Sequence, residues 1–118
     1  MENDLPKSRT VLIVDDEEEV RHILRVVCES EGFEVVGEAG HGVEAVSIAM
    51  REQPSIIILD YVMPKLDGEH AARMLRTIAP NSRIVAFSAI LDSKPDWSDS
   101  FLNKKRIAEV APVLEALL

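Results

Sequence analysis

The stretch SIIILD at positions 55–60 decides the fold class, because a run of buried-strand residues ends there directly in a carboxylate. Two similar β-branched runs, TVLIV at 10–14 and RIVAF at 83–87, lie before and after it in the chain. Continuous apolar runs of this length are typical of parallel strands that are covered on both faces. We therefore predict strands at 10–14, 55–59 and 83–87, with weaker candidates at 33–38 and 100–103.

Helical periodicity fills the intervals between these strands. Apolar residues recur at spacings of three and four, and each series has a start or stop signal beside it. The apolar positions that define three helices are Val20, Ile23, Leu24, Val27 and Cys28, then Val43, Val46, Ala49 and Met50, and then Ala71, Met74, Leu75 and Ile78. Gly32 and Pro54 end the first two helices, Asp67 caps the third, and a last helix covers 110–118 with Pro112 in its first turn.

Strands that alternate with helices indicate an α/β fold, in which right-handed crossovers build a doubly wound parallel sheet with helices on both faces. A chain of 118 residues is long enough for one such domain and shows no internal repeat. We expect residues 1–9 to form a flexible tail and residues 10–118 to form the domain.

The connection between the fourth and fifth predicted strands is unusually short. It spans residues 89–99, which is close to the minimum of about 10–12 residues for a crossover that contains a helix. Pro95 lies in its middle and would cost about 3 kcal/mol inside a helix, and the surrounding DSKPD at 92–96 is rich in turn formers. We therefore predict that the helix in this fourth position is missing or shortened to about one turn.

Composition and charge exclude several classes of protein. Thirteen Lys and Arg against 21 Asp and Glu give a net charge of −8, which argues against direct binding to nucleic acids or to anionic membrane surfaces. No apolar run is long enough to span a bilayer, and residues 1–10 contain no signal-peptide pattern. The single cysteine, Cys28, fits a reducing compartment, so we expect a cytoplasmic domain.

The residues that end the predicted strands have side chains that can bind ligands or react. Asp15 and Asp16 end the first strand, Asp60 the third, Ser88 the fourth and Lys104 the fifth. Because ligands in open α/β sheets bind at the carboxyl ends of the strands, we expect these side chains to converge. Three neighbouring carboxylates repel each other unless a cation lies among them, and hard oxygen ligands favour Mg²⁺. One carboxylate could then attack phosphorus, while the ammonium and the hydroxyl bind phosphoryl oxygens.

Each of these residues also has a simpler explanation when it is taken alone. The acidic run that contains Asp15 and Asp16 is typical of a solvated helix N-terminus, and Asp60 is compatible with a capped loop. Ser88 is compatible with an ordinary strand end, and Lys104 with a solvated basic surface. None of these explanations accounts for the fact that all of these residues lie at the ends of predicted strands.

In four segments the chain resembles the receiver domain of two-component response regulators. The segments are VLIVDDEEEVR at 11–21, ILDYVMPKLDG at 58–68, IVAFSA at 84–89 and SFLNKK at 100–105. The D-x-x-M-P-x-x-D-G pattern that begins at Asp60 is highly specific in combination with the acidic pair at 15–16. The resemblance extends over residues 9–118 and implies a flavodoxin-like sheet of five parallel strands in the order 2-1-3-4-5.

The resemblance also implies roles for the residues at the strand ends. Asp60 matches the phosphoacceptor, and Lys104 matches the phosphate-binding lysine. Asp16 corresponds to a direct ligand of Mg²⁺ (or Mn²⁺), and Asp15 to a ligand that acts partly through water. Asp60 and the backbone carbonyl of Val62 complete the implied metal site.

Further positions match residues that control switching and access to the phosphoryl group. Ser88 corresponds to the switch hydroxyl, and Phe101 to the aromatic switch residue. Ala89 corresponds to the small residue that leaves the phosphoryl group accessible, while by analogy Val62 and Ile90 flank the path of the attacking water. Because Val62 and Ile90 are apolar and offer no group to orient water, we expect slow loss of the phosphoryl group.

One position departs from the family pattern. In the family, a proline preceded by a cis peptide bond usually follows the phosphate-binding lysine, whereas this chain has Lys105 there. A cis bond without proline costs about 3–4 kcal/mol, so we expect a trans peptide between Lys104 and Lys105 and a loop that is shifted from its usual course in the family.

Taken as a whole, the resemblance implies a phosphorylation-dependent signalling switch. The domain would take a phosphoryl group from a histidine kinase or a histidine phosphotransfer protein, and would catalyse only its own phosphorylation and dephosphorylation. Its output would pass to a separate protein or to a C-terminal effector domain beyond these 118 residues. Because a missing fourth helix removes the usual dimer-forming surface, we expect a monomer that signals through loop reordering.

Two other functions stay open from the residues alone. A phosphohydrolase of the haloacid-dehalogenase type also uses a strand-end aspartate with Mg²⁺, but its second acid would stand at Val62, and a cap domain does not fit in 118 residues. A phosphorylation-independent interaction module could share the fold. The complete set of strand-end residues argues against such a module.

Overall fold

The computed structural model describes residues 8–63, 67–90 and 92–118, and a five-stranded sheet lies at its centre. The strands are β1 (Thr10–Val14), β2 (Glu34–Ala39), β3 (Ile56–Asp60), β4 (Arg83–Ser88) and β5 (Ser100–Asn103). All neighbouring pairs are parallel, and the order is β2-β1-β3-β4-β5, as the resemblance implies. The predicted strands are confirmed, with boundaries displaced by one residue in β2, β3 and β4.

Helices cover both faces of the sheet, which confirms the doubly wound architecture. On one face pack α1 (Glu18–Ser30) and α4 (Val110–Glu115), and on the other pack α2 (Gly42–Glu52) and α3 (Gly68–Ile78). A 3₁₀ helix at Lys104–Glu109 follows β5 directly and leads into α4. The sequence did not predict this 3₁₀ helix, and the last helix ends before the predicted residue 118.

The first strand shows why the central strands are apolar at every position. Val11 and Ile13 pack in the core between the sheet and α1 and α4, whereas Leu12 and Val14 pack in the core on the side of α2 and α3. All four side chains are fully buried. Burial of each contributes roughly 1.5–3 kcal/mol, so two cores hold the carboxyl end of β1 in place.

The helices bury narrower faces than their periodicity predicts. Leu24 and Cys28 of α1 are buried as expected, but Ile23 is 47% exposed. Predicted helix positions that are likewise exposed are Val43, Met50 and Met74. A helix touches the sheet along one side only, so the outer members of a wide apolar stripe stay in solvent.

The start of α3 is fixed against the end of β3. Asp67 Oδ1 accepts a hydrogen bond from His70 N at 2.9 Å, which confirms the predicted N-cap. At Gly68, an added Cβ would lie 2.8 Å from the Cα of Tyr61, so only glycine allows this close approach. Residues 64–66 of the family pattern lie outside the described residues.

The connection from β4 to β5 contains no helix in its described residues, 89–90 and 92–99, which confirms the prediction there; Leu91 is not among them. The ring of Trp97 instead stacks on Tyr61, with ring centroids 5.8 Å apart. Arg76 of α3 donates hydrogen bonds to Trp97 O at 3.1 Å and to Asp99 Oδ2 at 2.9 Å. The segment is therefore tied to α3 and to the end of β3 by side chains.

The amino-terminal end of the described chain is also tied down. Arg9 donates hydrogen bonds to the carbonyls of Glu31 and Gly32 and pairs with Glu115 of α4. Residues 1–7 of the predicted tail lie outside the described residues. In the described part of the chain every peptide bond is trans, including Lys104–Lys105 as expected, and no helix has the length and apolar character needed to cross a membrane.

Candidate functional site

The carboxyl ends of β1 and β3 bring three aspartates together, as the sequence predicts. The two strands are neighbours, with Val14 opposite Leu59, so the residues that follow in each strand lie side by side. One carboxylate oxygen from each of Asp15, Asp16 and Asp60 lies within 4.8 Å of the others. Asp15 and Asp60 are buried, whereas Asp16 is exposed and forms the solvent side of the cluster.

Local turns orient the two buried carboxylates. Asp15 Oδ1 accepts a hydrogen bond from Glu17 N at 2.9 Å, and Asp60 Oδ1 accepts one from Val62 N at 3.1 Å. Each carboxylate thus has one oxygen held by the backbone two residues further along the chain. The second oxygens of Asp15 and Asp60 both face the same lysine.

The ammonium of Lys104 lies between these oxygens. Its Nζ is 2.8 Å from Asp15 Oδ2 and 3.4 Å from Asp60 Oδ2, and also 3.2 Å from Glu17 Oε1. Asn103 Oδ1 accepts a hydrogen bond from Lys105 N at 2.9 Å, which starts the 3₁₀ helix and aims Lys104 at the carboxylates. Burial alone would lower the pKa of Lys104, but the surrounding carboxylates outweigh it and raise that pKa.

The pKa of Asp60 is raised to about 7. Its burial is the largest cause, and the negative charge of Asp15 acts in the same direction. The hydrogen bond from Val62 N and the charge of Lys104 oppose the shift without cancelling it. Three carboxylates against one ammonium leave the cluster negative, and its oxygen donors fit a hard divalent cation such as Mg²⁺.

The predicted switch and access residues lie at the same edge of the sheet. Ser88 is buried at the end of β4, and its Oγ accepts a hydrogen bond from Ile90 N at 3.3 Å. Phe101 is half-buried in β5, opposite Ala86 of β4. No hydrogen bond or ion pair joins Ser88 to the three aspartates within the described ranges, and Ser88 directly follows Phe87, which lies opposite Asp60 in the neighbouring strand.

The three predicted access residues are exposed to solvent. Val62 is 55% exposed and Ile90 is 67% exposed. Ala89 lies beside Ile90, and its carbonyl accepts a hydrogen bond from Asn103 Nδ2 at 3.3 Å. Val62 thus lies in the exposed turn after β3, and Ala89 and Ile90 lie at the exposed end of β4.

Sequence reasoning missed two residues that lie against the Lys104 ammonium. Glu17 is the third carboxylate on Lys104, and the ring of Phe87 lies 5.5 Å from the same ammonium. Glu17 is hidden in the acidic run at 15–19, where an Asp-x-Glu turn could have suggested it. Phe87 reads only as a core residue of β4, and no local signal distinguishes it.

Comparisons with known proteins agree on one family. A family profile described as "Response regulator receiver domain" matches residues 11–98. The transcriptional regulatory protein PdtaR of Mycobacterium tuberculosis is 44% identical over 82 residues, which cover 68% of this chain and 40% of PdtaR. The chemotaxis protein CheY of Thermotoga maritima is 38% identical over 82 residues, which cover 70% of this chain and 68% of CheY.

Solved structures extend the similarity over nearly the whole chain. The response regulator TrrA of Thermotoga maritima, solved in complex with Mg²⁺–BeF, is 26% identical, with a TM-score of 0.83 over 93% of this chain and 99% of TrrA. The alignment with PdtaR, in contrast, spans only two fifths of that protein's length. Because the profile covers most of the chain and the sheet order agrees, this chain belongs to the response regulator receiver domain family of two-component signalling systems.

Proposed function

We propose that the domain accepts a phosphoryl group from a phosphohistidine donor onto Asp60, and that this modification switches its signalling state. The observation that carries the proposal is the meeting of three aspartates with the Lys104 ammonium at the carboxyl edge of the sheet. An arrangement of buried acids around one fixed cationic side chain serves a reaction that brings in a negatively charged group. Receiver domains are signalling domains, and this one turns over no separate substrate.

The reaction is a transfer between two nucleophiles. A carboxylate oxygen of Asp60 forms a bond to phosphorus, the phosphorus–nitrogen bond of the phosphohistidine breaks, and the imidazole leaves with that electron pair and takes up a proton. The product is an acyl phosphate on Asp60. Lys104 then pairs with a phosphoryl oxygen instead of the carboxylates, and the Ser88 hydroxyl donates a hydrogen bond to another.

The proposed metal ligands are the carboxylates of Asp15, Asp16 and Asp60 together with the backbone carbonyl of Val62. Mg²⁺ is the preferred ion, with Mn²⁺ as a substitute, because all four donors are hard oxygens. When bound, the ion neutralises charge on the transferred phosphoryl group. The buried Oδ2 of Asp15, which has the Lys104 ammonium at 2.8 Å but no well-aligned hydrogen bond in the described chain, supports this assignment.

The proposed signalling step uses the connection from β4 to β5, which contains no helix in its described residues, 89–90 and 92–99. Ser88 and Phe101 are the proposed switch residues, as the family resemblance implies, and they lie in the two strands that residues 89–99 join. Movement of the Ser88 hydroxyl towards the phosphoryl group would reorder that segment rather than shift a helix. The donor is a histidine kinase or histidine phosphotransfer protein, and the output is a separate protein or an effector domain. The domain itself is proposed to be a monomer.

Acetyl phosphate with Mg²⁺, followed by intact mass and peptide mapping, tests the proposal. We expect one phosphoryl group on wild type, none on Asp60→Asn, and none on Asp16→Ala, which loses a metal ligand. Glu34→Gln, which removes one exposed carboxylate from β2, is the matched control and should react as wild type does. An adduct on Asp60→Asn that does not map to a nearby hydroxyl would contradict the assignment. Turnover of small phosphate esters would instead favour a phosphohydrolase.

A further inference from the structure

We propose that Glu17 is a positioning residue that holds Lys104 back from the incoming phosphoryl group and thereby slows phosphorylation of Asp60. This role rests on the function proposed above and concerns a residue to which the family resemblance gave no part. It starts from the contact of 3.2 Å between Glu17 Oε1 and Lys104 Nζ.

Glu17 differs from the other two acids that contact Lys104. Asp15 and Asp60 are buried members of the aspartate cluster, so a bound cation takes up their charge. Glu17 lies outside that cluster, and its side chain is 61% exposed at the solvent-facing mouth of the site. Its hold on Lys104 therefore persists when the metal site is filled.

The contact competes with the reaction. An ammonium has three hydrogens to donate, and before the reaction Lys104 faces three carboxylates, those of Asp15, Glu17 and Asp60. Pairing with a phosphoryl oxygen draws Lys104 away from these carboxylates, and Glu17 is the one whose charge a bound cation does not take up. Release of Glu17 then frees the ammonium to turn towards the incoming phosphoryl group.

The turn after β1 sets the position of Glu17. Its backbone N–H donates to Asp15 Oδ1 at 2.9 Å, and its carbonyl accepts from Arg21 N at 3.1 Å in the first turn of α1. Glu18, the next residue, is exposed at the start of α1 and makes no ion pair or hydrogen bond with Lys104 in the described residues. Glu18 is therefore a matched control for the loss of one negative charge.

The test measures the rate of phosphorylation of the full chain by acetyl phosphate and Mg²⁺, followed as intact mass over time. We expect Glu17→Gln to react about threefold to fivefold faster than wild type, the factor expected for release of one partly exposed ion pair. Glu17→Asp should also react faster, because its charge is kept but its shorter side chain does not reach Lys104. Glu18→Gln should react at the wild-type rate.

Thermal unfolding in the absence of donor gives a second readout that does not depend on phosphorylation. The change in melting temperature caused by Glu17→Gln should differ between the wild-type and Lys104→Met backgrounds, whereas that caused by Glu18→Gln should be the same in both. If Glu17→Gln changes the melting temperature equally in both backgrounds, Glu17 and Lys104 do not interact, and the proposed role of Glu17 is overturned.

The outcomes separate the two proposals. If wild type gains no phosphoryl group on Asp60, the proposed function fails and the restraining role fails with it. If wild type is phosphorylated but Glu17→Gln reacts no faster than Glu18→Gln, or more slowly than wild type, only the role of Glu17 is overturned. If Glu17→Asp behaves like wild type while Glu17→Gln is faster, a general charge effect replaces the restraining contact.

Discussion

Replacing Asp60 by asparagine should stabilise the metal-free protein, even though it removes the proposed phosphoacceptor. Burial, aided by the charge of Asp15, raises the pKa of Asp60 to about 7. The same carboxyl has a pKa of about 3.9 in an unfolded chain. The pKa of Asp60 is thus higher in the folded than in the unfolded state. The contribution of this carboxyl to the free energy of unfolding is therefore complete only below about pH 4, and it is lost as the pH rises to about 7. Asparagine does not ionise and is spared this loss.

The size of the effect follows from the two pKa values. A difference of about 3 corresponds to roughly 4 kcal/mol, at about 1.4 kcal/mol for each pH unit. That figure is an upper limit, because the cluster opens to solvent on the side of Asp16 and water screens the charges there. We therefore expect Asp60→Asn to gain about 2 kcal/mol at about pH 8 and almost nothing at about pH 4.

Urea denaturation in the presence of a chelator measures this difference. Wild type, Asp60→Asn and the control Glu34→Gln are compared at several values between about pH 4 and pH 8. The control removes an exposed carboxylate from β2 and should not change the pH dependence. Addition of Mg²⁺ should narrow or reverse the gap, because it stabilises wild type and Asp60→Asn has lost a ligand.

Two results would refute this reasoning. A variant that is no more stable than wild type at about pH 8 without metal would show that Asp60 is not held against charge repulsion. A gain that is the same at all pH values would show that it comes from packing or from the amide, and not from ionisation.

Four further predictions concern residues in and around the site and the oligomeric state. Lys104→Met should destabilise the metal-free protein by about 3 kcal/mol at neutral pH, because it leaves buried carboxylates unpaired, and urea denaturation should show partial recovery on acidification. Val62→Asn should speed loss of the phosphoryl group by about tenfold, measured by intact mass over time, because an amide can orient water where an apolar side chain does not; unchanged or slower loss would contradict the role of Val62. Trp97→Ala should cost about 2 kcal/mol by urea denaturation, since Trp97 packs against the core on the α3 side and stacks on Tyr61, and a loss below about 0.5 kcal/mol would contradict this. Sedimentation with and without beryllofluoride should give a monomer in both cases, and dimerisation on addition would contradict the proposed oligomeric state.

Short segments of sequence were enough to predict several elements of the fold. The short segment 89–99 with Pro95 was enough to predict the loss of a helix, because a proline inside so short a crossover leaves no room for a regular turn. The apolar runs at 10–14 and 55–59 were enough to predict buried parallel strands. Both predictions depend on residues that are close together in the chain.

Contacts between distant residues were not predictable in this way. Tyr61 and Trp97 stack across 36 positions of sequence, and Lys104 reaches Glu17 across 87 positions. Neither pair has a local signal, because the two contacts exist only after β1, β3, β4 and β5 are laid side by side. The exposure of Ile23 was missed for the same reason, since periodicity gives the direction of a helix face but not the width of the surface it meets.

The sequence by itself determined which functional group follows each strand: a carboxylate, a hydroxyl or an ammonium. A parallel sheet brings all its carboxyl ends to one edge, so that pattern alone predicted the convergence of Asp15, Asp16 and Asp60. The tertiary structure alone decided how the charges within the site are balanced. Burial of Asp15 and Asp60 and their sharing of Lys104 with Glu17 depend on distances of 2.8–3.4 Å, which arise only from packing of the whole domain.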